Sequence, residues 1–173
     1  MIVPPIGAAL FTDIAQARMP STRMLYTYWH ETCFGGMPPK RTEIDPSALR
    51  DILPFVLLGD IEPEPFRVLF RLIGTGVADF SRQDFSGQYL DELSYDARDS
   101  VDWLVCYRFL HAQRTPVIGI NELHFDDGRL ASYEFALFPL SRGDDPAGSF
   151  IAIEAYDDFD RLVIPDLRPV QRR

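Results

Sequence analysis

The chain has 173 residues, 46% of them hydrophobic, with 13 Phe, seven Tyr and two Trp. That supports a buried core in one domain with extended ends and excludes wholesale disorder. A formal charge of −9, with basic residues clustered no further than the pairs Lys40-Arg41 and Arg172-Arg173, argues against a nucleic-acid module, which needs a basic surface for phosphates.

Cys33 and Cys106 lie far apart and are too few for a disulfide framework, so they read as free thiols in a reducing cytoplasm. The apolar opening Met1-Ile2-Val3-Pro4-Pro5-Ile6-Gly7 lacks a basic region, carries two prolines and is followed by Asp13. It therefore reads as an extended lead-in over residues 1–20, not as a secretion signal. No run approaches the length of a membrane span.

Ser21 is expected to cap a helix bearing Met24, Leu25, Tyr28, Trp29 and Cys33 on one side, stopping at Gly35-Gly36 before Pro38-Pro39. Asp45 and Pro46 announce a second helix, with Leu49, Ile52 and Leu53 as its apolar edge and Pro54 as its end. These helices occupy residues 21–54. Residues 55–61 then read as a strand apolar on both faces. The run 66–73 alternates, with Phe66, Val68, Phe70 and Leu72 on one side and Arg67 and Arg71 on the other. Glu62-Pro63-Glu64-Pro65 is short enough to join the two as an antiparallel hairpin.

Gly74-Thr75-Gly76 breaks the strand before a short helix with Val77 and Phe80. A longer helix is expected from near Asp96 to about Arg114, with Val101, Leu104, Val105 and Ala112 at helical spacing. Three strands complete the domain: 117–125, a turn at Asp126-Asp127-Gly128, 129–140, a polar loop, and 149–156. The domain proper spans residues 55–158, and 159–173 forms a proline-bearing, extended tail. Antiparallel hairpins separated by a helical block indicate an α+β fold: a five-stranded antiparallel sheet with helices on one face and room for a ligand between them.

This order is similar to that of the PAS domain. Phe70-Arg71-Leu72-Ile73-Gly74-Thr75 and Gly87-Gln88-Tyr89-Leu90-Asp91-Glu92-Leu93 resemble the R-L-x-G-T and G-x-x-L-x-E-L segments of short bacterial PAS-like proteins. The lead-in from Pro38 to Phe55, and Tyr133 with Phe138-Pro139-Leu140-Ser141, resemble further parts of that family. The resemblance covers roughly residues 24–157. It implies a sensory or regulatory role in signal transduction through protein contact. The family often has a glycine where this chain has Arg82-Gln83.

No catalytic or metal-binding pattern is present. His30, His111 and His124 are scattered, with no partner at ligand spacing. A haem-type PAS needs one cavity-facing axial His, and His111 lies near the solvent end of its helix. Cys106-Tyr107-Arg108-Phe109-Leu110 resembles only superficially the N-C-R-F-L-Q signature of flavin-binding photosensory PAS domains, because Tyr107 intervenes and Val105 precedes. Neither haem nor flavin is expected.

Phe70, Leu72, Phe80, Trp103, Tyr107, Tyr133 and Phe135 are the candidates to line a pocket, in an interior expected to lack reactive groups. Leu25, Tyr28 and Trp29 are the candidates to meet a protein partner or a second copy. Two other readings stand beside the signalling module. One is a receptor with an occupied cavity. The other is a cone-shaped α+β enzyme of the steroid-isomerase type, which would place its long helices ahead of most of the sheet.

Overall fold

The computed structural model describes residues 10–93, 97–125 and 130–156. The expected Asp126-Asp127-Gly128 turn, the first nine residues of the lead-in, the last two residues of the domain at 157–158 and the tail over 159–173 lie outside them. Among the described residues seven strands form one antiparallel sheet: β1 (Leu10–Phe11), β2 (Val56–Pro63), β3 (Phe66–Ile73), β4 (Ala97–Asp99), β5 (Val117–Phe125), β6 (Leu130–Arg142) and β7 (Asp145–Ala155). Their order is β1-β5-β6-β7-β2-β3, with β4 also paired to β5. Between β3 and β5 the chain forms two helices, α2 (Thr75–Ser81) and α3 (Trp103–Gln113). That placement matches the PAS-like α+β expectation and not the cone-shaped enzyme.

Both faces of the sheet are buried. On β6 and β7, Tyr133, Phe135, Leu137, Phe150 and Ala152 join the core beneath α2 and α3, while Ala136, Phe138, Leu140, Ile151 and Ile153 join a second core on the other face. The helix α1 (Pro20–Thr32) covers that second face. Its start differs from the sequence reading, since Pro20 takes the first helical position and Met19, not Ser21, is the cap residue. The buried Glu134 carboxylate accepts the N–H groups of Arg18 at 2.7 Å and Met19 at 3.1 Å, so an acid from β6 anchors the chain just ahead of α1.

Leu25 and Trp29, expected at a partner surface, are buried against the sheet instead. Trp29 Nε1 donates to the Pro139 carbonyl at 2.8 Å. Tyr28 is half-buried, and its hydroxyl accepts the Asp45 N–H at 2.6 Å. The reason lies in β6, which runs beyond its pairing with β5 at Val117–Leu137. The uncovered edge at 138–142 needs partners for its peptide groups. Trp29 supplies one, and Pro38-Pro39 supplies the others: Ser141 N and Oγ donate to the Pro39 and Pro38 carbonyls.

The second expected helix forms two 3-10 turns, Pro46–Leu49 and Leu53–Phe55. Two prolines in nine residues leave no room for an α-helical ladder, although the Asp45 cap and the buried Leu49 and Ile52 are as expected. Residues 97–99, expected to open the long helix, pair with β5 as β4; Asp102 caps α3 and accepts from Val105 N at 3.1 Å. The inward face of α3 is Cys106, Tyr107 and Leu110, while Leu104 is 42% exposed. The loop expected over 141–148 is a tight β6–β7 hairpin turning at Gly143.

One irregularity redirects a predicted pocket residue. Leu58 pairs with Leu72 but Gly59 pairs with Phe70, so Arg71 is an extra residue in β3. A β-bulge reverses the inside–outside alternation beyond it. Leu72 is consequently turned out, 44% exposed, and Ile73 is buried in its place. Arg71 Nε donates to the buried Asp60 at 2.7 Å. Asp60 also takes Ser149 Oγ at 2.6 Å and Arg41 at 3.2 Å, with Arg142 at 3.9 Å. Burial alone would raise this carboxyl; the bonds from Ser149 and Arg71 and the charges of Arg142 and Arg41 outweigh it and hold it below its ordinary value.

Gly74 follows directly. A side chain there would overlap the Pro54 carbonyl, so the glycine of the R-L-x-G-T segment lets the end of β3 lie against the Leu53-Pro54 turn. Arg82 ends α2 in the left-handed conformation, φ +53°, with its N–H on the Ala78 carbonyl. That is a position where glycine carries no Cβ penalty.

Two stability measurements check this account. Trp29→Ala, which empties a buried site and leaves the Pro139 carbonyl unpaired, should lower unfolding stability by about 3–5 kcal/mol in a denaturant titration. Arg82→Gly should raise it by about 0.5–1 kcal/mol by relieving the left-handed backbone.

Candidate functional site

A cavity of about 90 Å³ lies between the sheet and α2/α3. Six of the seven predicted pocket residues line it: Phe70, Phe80, Trp103, Tyr107, Tyr133 and Phe135. Leu72 does not, for the reason of the bulge. The aromatic walls interlock edge to face. Trp103 meets Phe135 at 4.7 Å between ring centroids, Phe80 meets Tyr133 at 5.8 Å, and Phe70 meets Phe85 at 4.9 Å.

The interior is not free of ionisable groups, contrary to the sequence reading. Asp99, from β4, and Glu154, from β7, also line the cavity. Asn121, fully buried on β5, links them to their surroundings. Its Nδ2 donates to Asp99 Oδ1 at 2.6 Å and to the Tyr133 hydroxyl at 3.0 Å, while its Oδ1 accepts Ser100 N at 3.2 Å. The Tyr133 hydroxyl donates to Glu154 Oε1 at 3.5 Å, and the Tyr156 hydroxyl donates to Glu154 Oε2. Tyr156 stacks on Phe80 with centroids 4.2 Å apart.

Burial pushes the Glu154 carboxyl up to about 7, helped by the charge of Asp99, although the hydroxyls of Tyr156 and Tyr133 oppose the shift. Asp99 is raised for the same primary reason, burial, against hydrogen bonds from Asn121 and Trp103. The signal for Glu154 was present in the strand pattern: Phe150, Ala152 and Glu154 share one parity in a run whose alternate residues are Ile151 and Ile153. Asn121 likewise shares parity with Val117 and Leu123 on β5. Asp99 gave no such signal, because β4 is only three residues long.

The other sequence candidates lie elsewhere. Cys106 is buried and does not line this cavity; burial, with the charge of Asp102, pushes its thiol up to about 12, far from thiolate reactivity. His111 sits at the end of α3, bonded to Asp145 at 2.9 Å, and does not face the cavity. Among the described residues no group of three His, Cys, Asp or Glu is placed to hold a metal ion. Among them, too, no helix is long and apolar enough to cross a membrane.

The G-x-x-L-x-E-L segment lies along the free edge of β3. Gly87 N donates to the Phe70 carbonyl and Phe70 N to the Gln88 carbonyl, at 2.8 and 3.0 Å. Arg67 clamps it from the sheet, with its guanidinium on Asp91 at 2.9 Å and Glu92 at 3.0 Å and its carbon 3.5 Å above the Tyr89 ring. Leu90 from this segment reaches the cavity wall.

A sequence profile described as the PAS domain matches residues 17–153. The chain belongs to the PAS domain family. This PAS domain is therefore a member of a class of sensory and signalling modules. Among solved structures it is similar to an RNA-binding light-oxygen-voltage receptor, at 12% sequence identity and a TM-score of 0.49, over 93% of this chain and 41% of that one. It thus spans less than half the length of that receptor. No curated protein matches it.

Glu154 makes stability pH-dependent in a defined direction. Between its ordinary value of 4.5 and its folded value of about 7, the folded state holds a proton that the unfolded chain has released, so stability falls as pH rises through that window and levels off above it. Glu154→Gln should remove most of this fall, a difference on the order of 3 kcal/mol at pH 8. Denaturant midpoints measured from pH 4.5 to 8.5 for both proteins check it.

Proposed function

We propose that this PAS domain is a non-catalytic sensory or regulatory module that couples a small molecule in its core to contact with another protein. The cavity carries the reading. Protein interiors are packed to crystal density with few voids larger than a water, and here one persists at the junction of the helices and the sheet. It is walled by aromatic rings and ends in a set of convergent polar groups, the usual composition of a small-molecule site. Its walls come from α2, α3, the β3-edge segment and the sheet, so an occupant touches both helices of that layer, the edge segment and the sheet they cover.

The contact surface differs from the one expected of Leu25 and Trp29. Beyond α1 the chain turns tightly at Gly35-Gly36, where Phe34 N and Met37 N exchange hydrogen bonds with the opposite carbonyls. Phe34 is 89% exposed there and Met37 50%. A rigid turn presenting two large apolar side chains is a contact point for a protein partner or a second copy of the chain.

Native mass spectrometry of freshly purified protein should show a small-molecule adduct that is lost on denaturation; a bare mass, with no small molecule accepted from a library, would refute the receptor reading. Sedimentation should show self-association that Phe34→Ser weakens at least tenfold. A strict monomer unaffected by that change would remove the second-copy contact.

A further inference from the structure

Resting on the reading of the cavity as a ligand site, we propose that its ligand is a small organic ammonium ion, held by Glu154 and Asp99 with its hydrocarbon part against Phe80, Trp103 and Phe135. Three independent features of the site converge on that class.

The first is size. An apolar protein cavity of about 150 Å³ accommodates benzene, and this one measures about 90 Å³. The occupant is therefore smaller than benzene, about four non-hydrogen atoms. The second is the direction of the hydrogen bonds. The Tyr156 and Tyr133 hydroxyls and the amide of Asn121 all donate toward the two carboxyls. Trp103, whose indole N–H is only a donor, also acts to lower the Asp99 carboxyl, after Asn121. The side chains surrounding the acids thus support them as acceptors, and a ligand that brings N–H donors completes the set. A ligand needing donors from the protein meets groups already committed.

The third is charge. The groups that face Glu154 are Asp99 from β4, Tyr133 from β6 and Tyr156 beyond β7, none of them basic. Among the described residues no Lys, Arg or His forms an ion pair with Glu154 or Asp99, in contrast to Asp60 on the other face, which three arginines approach. A half-buried carboxylate with no countercharge among the described residues is unfavourable, and an ammonium ion supplies that charge while aromatic faces stabilise it further.

Ionised Glu154 is the binding form, so affinity rises with pH. For a carboxyl titrating near 7, the ionised fraction grows about tenfold between pH 6 and pH 8. An alkylammonium stays charged throughout that range.

The test is calorimetric titration of the full chain with n-propylammonium and with its neutral isostere 1-propanol, at pH 6 and pH 8. Propylammonium should bind about tenfold more tightly at pH 8, 1-propanol at least tenfold more weakly than the amine, and Glu154→Gln and Asp99→Asn should each reduce amine binding at least tenfold. Since Glu154→Gln is expected to be the more stable protein at pH 8, lost binding there is not lost folding. If 1-propanol binds as well as the amine, or if Glu154→Gln leaves amine binding intact, the cation assignment is overturned while the cavity remains a ligand site. If neither probe binds and pressurised xenon shifts no methyl or aromatic NMR signal from the cavity wall, the ligand-site reading falls with it.

Discussion

A sheet buried on both faces constrains everything else in this molecule. Each residue of β6 and β7 must send its side chain either to the α1 layer or to the cavity layer, and the two-residue period of a strand leaves no third choice. Phe138, Leu140, Ile151 and Ile153 go one way, and Tyr133, Phe135, Phe150 and Glu154 the other. The parity of a residue therefore decides whether it is structural packing or part of the site. A single extra residue in β3 shows how strict the rule is. The bulge at Arg71 turns Leu72 out, Ile73 in, and aims the arginine at Asp60.

The two faces handle buried acid in opposite ways. On the α1 side, Asp60 is surrounded by Arg41, Arg71, Arg142 and Ser149, and its charge is stabilised. On the cavity side, Glu154 and Asp99 receive only neutral donors among the described residues, and burial raises both. A neutralised acid adds to the specificity of the sheet's packing. An acid left without a countercharge in a cavity stores electrostatic free energy that a ligand can release, which is how a small molecule gains leverage over a fold.

The family motifs acquire physical roles once they are placed. Arg71 and Gly74 of the R-L-x-G-T segment serve, respectively, the Asp60 cluster and the close approach to Pro54. The 87–93 segment covers the β3 edge and is clamped by Arg67. Phe138-Pro139-Leu140-Ser141 receives Trp29 and the Pro38-Pro39 segment. The N-terminal helix and the sheet are in this way parts of one packed body, which is why the side of α1 richest in large apolar residues faces inward.

Much of this was legible in the residues alone. Alternation and turn chemistry disclosed the long strands and their order around the helical block, and aromatic positions in those strands and in the helices between them disclosed six of the cavity's lining residues. These features are local, written in periods of two and three to four residues. What only the tertiary structure decided is non-local: the bulge that moved Leu72, the pairing of residues 97–99 with β5 in place of a helical turn, the anchoring of α1 by Glu134, and the burial of Trp29. The acids of the cavity fall between the two. Strand parity pointed Glu154 inward, but its raised carboxyl depends on burial in this layer and on the charge of Asp99, with no basic neighbour among the described residues. Those are facts of three-dimensional company, and a chain read in one dimension carries no record of them.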